Sequence, residues 1–315
     1  MGSVTSVPTR SLDTDEFARL TISRLFEPGD RMIGRLVQQR GANNTLRALE
    51  AGSLSMATKA NGIPTAAEIH QAQREAENEI VLADKLGIGF VAPGAREWPT
   101  QLDDLGAGAP LILRVSGAID MRIAASQSVA IVGARACTRY GVSVADGIAA
   151  YLAINGWCIV SGGAFGIDAA AHLGALAVGG VSIGVSAGGA DLALPRAHEV
   201  LYSRLRESGA IVSEVPLGSH PTKSRFLVRN RLIAALARAV VVVEAAARSG
   251  ARSTVSEAHQ LNRVVAAVPG PVTSAASVSC HQLIRDGGAV LVTSGEEVEE
   301  LVRPIGGYPY QAKLL

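Results

Sequence analysis

Between Glu214 and Glu244 the chain carries no aspartate or glutamate, although its 315 residues overall balance 29 Lys and Arg against 28 Asp and Glu. The net charge of +1 gives the whole molecule no field that selects a partner, so any affinity for a polyanion must come from local charge. Cysteine is scarce too. Cys137, Cys158 and Cys280 stand far apart, which excludes a disulfide framework and a paired-cysteine metal site and reads as reduced thiols of a cytoplasmic protein. Aromatic residues make up 4% of the chain, with five Phe. No apolar run approaches the ~20 residues a membrane helix needs, and the polar N-terminus has no export signal core. No membrane role is expected.

Several chemistries are missing as well. G-x-x-x-x-G-K-[ST] occurs nowhere, which excludes a Walker-type nucleotide hydrolase. A strict G-x-G-x-x-G is absent, which weighs against an ordinary NAD dehydrogenase. No H-E-x-x-H or metal-like Cys/His spacing is present, and no nucleophile-elbow serine is expected. His172 in DAAAHLGAL and His198 in PRAHEV read as packing or capping residues. No cofactor, no metal and no catalytic residue are assigned.

What is present divides the chain. Residues 11–85 read as a small helical domain, because DEFARLTISRLFE, RMIGRLVQQRG, TLRALEAG and AAEIHQAQREAENEIVLADKLG repeat apolar residues at three and four without strand alternation. Residues 86–303 read as a second domain and residues 304–315 as a tail. Its opening, Gly87 to Gly117, holds short strands that either bridge the domains or extend the next sheet. From Ser128 the strand candidates are SVAIVG, WCIVSG, VSIGVS, AIVSEV, AVVVVEA, RVVAAVPG and AVLVTS, mostly separated by helical stretches. That alternation predicts an α/β fold with a doubly wound, mostly parallel sheet.

In such sheets ligands sit beyond the carboxyl ends of the strands, at the point where the strand order reverses. The loops there are rich in glycine, serine and charge. Gly133 and Arg135 open the turn after SVAIVG, where backbone N–H groups and a guanidinium suit an anion. Ser161, Gly162, Gly163 and Gly166 form a second loop, with Asp168 as a candidate cap. The acid-free stretch supplies Lys223, Arg225, Arg229 and Arg231. A helix beginning near Val228 would bury Val228, Leu232, Ile233 and Leu236, leave Lys223 and Arg225 in the preceding loop, lean Arg229 over the sheet edge and turn Asn230 away. Phe226 lies within the cations, and an aromatic among positive charges suits single-stranded nucleic acid.

At these residues the sequence resembles the DNA-processing protein A (DprA, or Smf) family. The stretches that carry the resemblance are SVAIVGAR, VSGGAFGIDAAAHLGAL, GAIVSEVPLG, RFLVRNRLIAALARAVVVVEA, SGARSTVSEA and RVVAAVPGPVTSAASVSCHQLI, within a likeness covering roughly residues 15–303. The resemblance implies an extended Rossmann-like sheet, preceded by a small SAM/helix-hairpin-helix-like domain. It implies a non-catalytic homodimer that binds incoming single-stranded DNA and loads the RecA recombinase onto it. It places Gly133 and Arg135, Ser161 through Asp168, and Lys223, Phe226, Arg229, Asn230 and Arg231 at the DNA. The chain departs from the family pattern at Ala134 (usually serine), Phe165 (commonly arginine), Arg252 (usually apolar, bearing on dimer geometry) and Ser279 (usually glycine). Ending soon after the last sheet helix, it is expected to lack the C-terminal winged helix of many relatives.

Two other readings stand beside this one. Ser249 to Glu257 keeps the Gly, Thr and Glu spacing of nucleoside-monophosphate phosphoribohydrolases, which would make Glu257 and Arg229 a catalytic pair. A nucleotide-sensing module would use the same loops for a small ligand.

Overall fold

The computed structural model describes residues 12–54, 62–247 and 249–303. The expected tail, residues 304–315, and residue 11 lie outside them.

Among the described residues four helices come first: α1 (Thr14–Leu25), α2 (Arg31–Arg40), α3 (Ala42–Glu50) and α4 (Ala66–Leu86). Their starts are written in local chemistry. Asp13 and Thr65 each close a capping box, with Glu16 and Glu68 reaching back from the third helical position. Ile22, Phe26, Ile33, Val37, Leu46 and Leu49 pack into one apolar cluster.

The segment that follows extends the sheet. β1 (Ile88–Val91) pairs antiparallel with β2 (Leu113–Gly117), separated from it by a 3-10 segment, Thr100–Gly108. The remaining chain runs α5 (Met121–Ser126), β3 (Ser128–Val132), α6 (Arg139–Ile154), β4 (Cys158–Ser161), α7 (Ile167–Ala177), β5 (Ser182–Val185), α8 (Glu199–Ser208), β6 (Ala210–Ser213), α9 (Lys223–Leu236), β7 (Ala239–Val242), α10 (Ala251–Gln260), β8 (Val264–Ala267), α11 (Val278–Arg285), β9 (Val290–Leu291) and α12 (Gly295–Val302).

The nine strands form one sheet in the order β1-β2-β6-β5-β4-β3-β7-β8-β9. β2 joins β6 antiparallel, and every pairing from β6 to β9 is parallel. The result is an α/β Rossmann-like mixed sheet with a helical N-terminal region. Strand side chains alternate between two cores. Ala130, Val132, Val240 and Val242 join Leu232, Ile233 and Leu236 of α9 on one face, while Val129, Ile131 and Val241 join Ile148, Leu152 and Ala171 on the other.

α9 differs from expectation. It begins at Lys223 rather than near Val228, because Thr222 accepts a hydrogen bond from the Arg225 amide at 3.2 Å and caps the helix. Lys223 and Arg225 therefore stand in its first turn. From Arg229 to Leu236 the helix is buried all round, so the one-sided stripe read from the sequence is only part of its packing.

A buried ion cluster fastens the N-terminal helices to the sheet. Arg114 of β2 donates from Nε to Glu79 Oε1 at 2.9 Å and from Nη2 to Glu79 Oε2 at 3.1 Å. Arg114 also donates to the Glu214 carbonyl and to Ser23 Oγ. Glu79 further accepts from Arg24 at 2.9 Å and from the Leu217 amide at 2.8 Å. Both charges are out of solvent, so each depends on the other for charge compensation.

Candidate nucleic-acid interface

In the sheet order, the chain leaves β3 toward β4, β5 and β6 on one side, then returns to place β7, β8 and β9 on the other. This reversal is where a crevice is expected, and a cleft of about 430 Å³ lies there. Val132, Gly133, Ala134 and Arg135 line it from the end of β3 and the turn after it, Ala164 from the loop after β4, Asp168 from the start of α7, Phe226, Leu227, Arg229 and Asn230 from α9, and Ala246, Ser249, Gly250 and Thr254 from beyond β7.

The rim holds the most telling contact. The Arg135 guanidinium carbon sits 5.1 Å from the centre of the Phe226 ring, a cation–π geometry. Lys223 lies three residues before Phe226, one helical turn back on the same side of α9. It is exposed and makes no ion pair with the described residues. Charge and ring thus converge from separate loops.

Other predicted residues have different work. Arg231 is buried and forms a two-pronged pair with Glu214, at 2.7 and 2.6 Å. It is not brought to the cleft, because its charge neutralises a buried carboxylate. Arg229 is also buried. Its Nη1 donates to the carbonyls of Gly162 (2.8 Å) and Val185, so it anchors the β4–α7 loop from mid-helix instead of leaning out over the sheet edge. Burial holds its pKa below the usual guanidinium range, opposed by the charge of Asp168. Asn230 lines the cleft rather than turning away, and its amide has no hydrogen bond to the described residues.

Arg225 is paired with exposed Glu27, at 2.9 Å through both Nε and Nη2. That hydrogen bonding raises its pKa.

The β4–α7 loop is a built support. Ser161 is buried and donates to the Ile131 carbonyl at 2.6 Å, so it ties β4 to β3 and does not face the cleft. Asp168 accepts from the amides of Gly162 (3.2 Å) and Ala164 (3.4 Å), bracing the loop before the helix rather than capping α7, whose cap position is Gly166. Burial raises the Asp168 pKa, against the lowering pull of Arg229. The glycines serve close packing within the protein. A Cβ on Gly162 would stand 2.6 Å from the Arg229 guanidinium, one on Gly163 as close to the Tyr202 hydroxyl, and one on Gly133 2.6 Å from Ile167. Gly166 has φ +80° and abuts the Ala134 and Arg135 carbonyls, a position closed to other residues.

Two residues important to the site carried no recognised signal. Glu244, buried just after β7, accepts from the Thr138 amide (2.8 Å) and hydroxyl (2.6 Å), and Thr138 in turn caps α6. This fixes the loop that carries Arg135. The one signal available was a lone glutamate closing the apolar run AVVVVEA, where a buried charge needs partners. Two stretches also fit G-x-S-x-G, against expectation: Gly180–Gly184 and Gly184–Gly188. Neither presents a nucleophile, since buried Ser182 donates to the Ile159 carbonyl and buried Ser186 accepts from the Gly188 amide. Glu257 does not line the cleft. Among the described residues no cluster could hold a metal ion and no helix is long and apolar enough to cross a membrane.

Residues 89–303 match the model of the family described as DNA recombination-mediator protein A. The chain is 42% identical over 295 residues to a putative DNA processing protein DprA of Mycobacterium tuberculosis, covering 90% of this chain and 74% of the relative. The chain belongs to the DNA recombination-mediator protein A family.

Solved members of the DNA recombination-mediator protein A family share its architecture. The X-ray structure of DprA from Streptococcus pneumoniae superposes with a TM-score of 0.74 at 28% identity, covering 94% of this chain and all of that one. A Helicobacter pylori DprA, described for its single-stranded DNA binding mode, superposes with a TM-score of 0.60 at 27% identity, covering 68% of this chain and 94% of that one. The departures from the family pattern now have physical settings. Ala134 needs no hydroxyl to hold its turn, because its amide donates to the Glu244 carbonyl at 2.7 Å and its carbonyl accepts from Ile167. Ser279 donates to the Ala246 carbonyl at 2.9 Å. Arg252 is exposed, with Nη1 on the Ala247 carbonyl at 3.2 Å.

Proposed function

We propose that this chain is a single-stranded DNA-binding recombination mediator that acts on DNA taken up in transformation, without catalysis. The observation that carries the reading is the Arg135–Phe226 contact at the rim of the switch-point cleft, with Lys223, which has no ion pair among the described residues, one turn away. Cations track phosphates and the ring stacks a base. Asn230 supplies an amide within the cleft, and Arg229, Asp168 and the glycines of 162–166 hold the surface in shape.

Fluorescence anisotropy of labelled single- and double-stranded oligonucleotides of equal length tests it. Preference for single strands, with affinity rising with length and falling with salt, is the expected result. Arg135→Ala and Lys223→Ala each remove about 0.7 from the salt slope per lost phosphate contact. Phe226→Ala weakens binding by about 1–3 kcal/mol with little change of slope. No binding at low salt would sink the reading.

Arg225 belongs to this surface conditionally, since a phosphate must compete with Glu27 for it. Glu27→Gln is therefore expected to strengthen binding and steepen the salt slope by up to about 0.7. Folding stability should move by less than about 1 kcal/mol, because the pair is solvent-exposed on the Glu27 side. The same titration checks this; an unchanged slope would mean that Arg225 does not meet the strand.

Delivery of the strand to RecA, in the cytoplasm, is the reading that family membership supports. Self-association is supported by the edge strand β9, where Val290 and Leu291 stand exposed. A SAM/helix-hairpin-helix-like character for the N-terminal unit is supported by α2 and α3 meeting end to end at Gly41, and the division at residues 85 and 86 falls in the last turn of α4, next to its Gly87 cap. The phosphoribohydrolase alternative loses ground, because Arg229 is held on backbone carbonyls and Glu257 lies off the cleft.

A further inference from the structure

Phe165 has no evident use in the fold. Its side chain is 48% exposed, and it belongs to none of the apolar clusters. Yet its position is tightly set. The preceding residues are pinned by Asp168 on the Ala164 amide and by Arg229 on the Gly162 carbonyl. The following residue, Gly166, packs against the backbone of Ala134 and Arg135. Phe165 thus stands one residue from the loop whose guanidinium covers Phe226.

The ring itself is also fixed. Its centre lies 4.6 Å from that of His198, with the planes at 72°, an edge-to-face pair. His198 Nδ1 is 3.1 Å from the Gly163 carbonyl. A carbonyl only accepts, so Nδ1 carries the proton and the imidazole is locked to the same loop. Arg196, exposed and without an ion pair among the described residues, lies two residues before His198.

We propose that Phe165, braced by His198, is a second base-stacking step for single-stranded nucleic acid, adjoining the Phe226 step across the Arg135 loop, with Arg196 beside it for a phosphate. The inference rests on the proposed single-strand binding. A half-exposed ring in a pre-set position loses little freedom when a base covers it, and stacking on a ring accepts any base. A strand running past both rings would meet two aromatic surfaces with Arg135 between them.

The test uses the whole chain and single-stranded oligonucleotides carrying one 2-aminopurine, whose fluorescence falls on stacking. Parent, Phe165→Ala, Phe165→Trp, His198→Ala and Phe226→Ala are titrated over a salt series. Because Phe165 is outside the core, Phe165→Ala should fold as the parent does, and a thermal melt verifies this. Expected results are a roughly tenfold loss of affinity for Phe165→Ala with unchanged salt slope, loss of quenching at one probe position, parent-like binding by Phe165→Trp and a smaller loss for His198→Ala. If Phe165→Ala stays within about twofold of the parent while Phe226→Ala is weakened, the second step is refuted and the single-strand reading stands. If the parent itself fails to bind single strands, both fall together.

Discussion

Replacing Glu79 with alanine is expected to destabilise the protein by about 3–5 kcal/mol, the usual cost of stranding the partner of a buried ion pair. Arg114 would keep its charge away from water and lose the carboxylate that receives Nε and Nη2, with only the neutral Ser23 hydroxyl and Glu214 carbonyl left to it. The Leu217 amide, in the loop leading toward α9, would lose its acceptor as well. Chemical denaturation of parent and variant measures the difference. Replacing Glu79 and Arg114 together by leucine should recover most of it, since desolvated charges and their costs then vanish as a pair. A loss below about 1 kcal/mol for Glu79→Ala, the scale of an exposed pair, would show that the cluster is hydrated in solution.

Glu79 also predicts behaviour in acid. Burial works to raise its pKa, but Arg114 and Arg24 overcome this and hold it below the ordinary carboxylate value. A carboxyl depressed on folding contributes stability above its unfolded pKa, near 4.5, and loses it as pH falls through the folded value.

Acid destabilisation is nevertheless expected to begin earlier, at His172. Burial, reinforced by the positive charge of Arg229, pushes its pKa down to about 3 from 6.5. The hydrogen bonds explain why. Ser182 Oγ donates to the Ile159 carbonyl and therefore accepts from His172 Nδ1 at 2.7 Å. The proton thus sits on Nδ1, and the buried Nε2 has no partner among the described residues. Protonation would place a charge there with nothing to receive it.

The sign follows from the proton count. Between pH 6.5 and 3 the unfolded chain binds a proton at residue 172 and the folded chain does not, so stability falls as pH falls through this window. The slope approaches about 1.4 kcal/mol per pH unit from this residue alone. Denaturation curves from pH 7.5 to 5 measure it, and His172→Gln should flatten them. An NMR titration provides a direct check: the His172 ring should remain neutral at pH 5, and titration near 6.5 would overturn the assignment.

Much of the architecture was legible because its signals are local. Each strand from SVAIVG to AVLVTS is a short apolar run bounded by turns, and each matches a strand of the sheet. The Asp13 and Thr65 capping boxes are likewise local chemistry. The segment 87–117 was ambiguous because strand pairing is a long-range choice; only β6 decided that β2 extends the sheet.

The site was legible to a lesser degree. Lys223, Phe226 and Arg135 were identifiable by type and place, and the structure brings Arg135 and Phe226 together. Arg229 and Arg231, members of the same basic run, could not be sorted from Lys223 by sequence. Their partners lie far off in the chain: the Gly162 and Val185 carbonyls for one, Glu214 for the other. Gly162 and Gly166 read as ligand cradles, and what sequence could not show is that a Cβ at either would collide with the Arg229 guanidinium or the Ala134 and Arg135 carbonyls.

The sequence by itself determined the alternation of strands and helices, the strand-end loops that hold the charge, and the acid-free run that makes one edge cationic. These follow from periodicity and composition, which act over a few residues. Tertiary structure alone decided which cations remain available to a ligand and which are consumed as struts. That choice depends on desolvation and on partners as distant in sequence as Glu27 and Arg225, and a buried charge must find its counterpart within the fold.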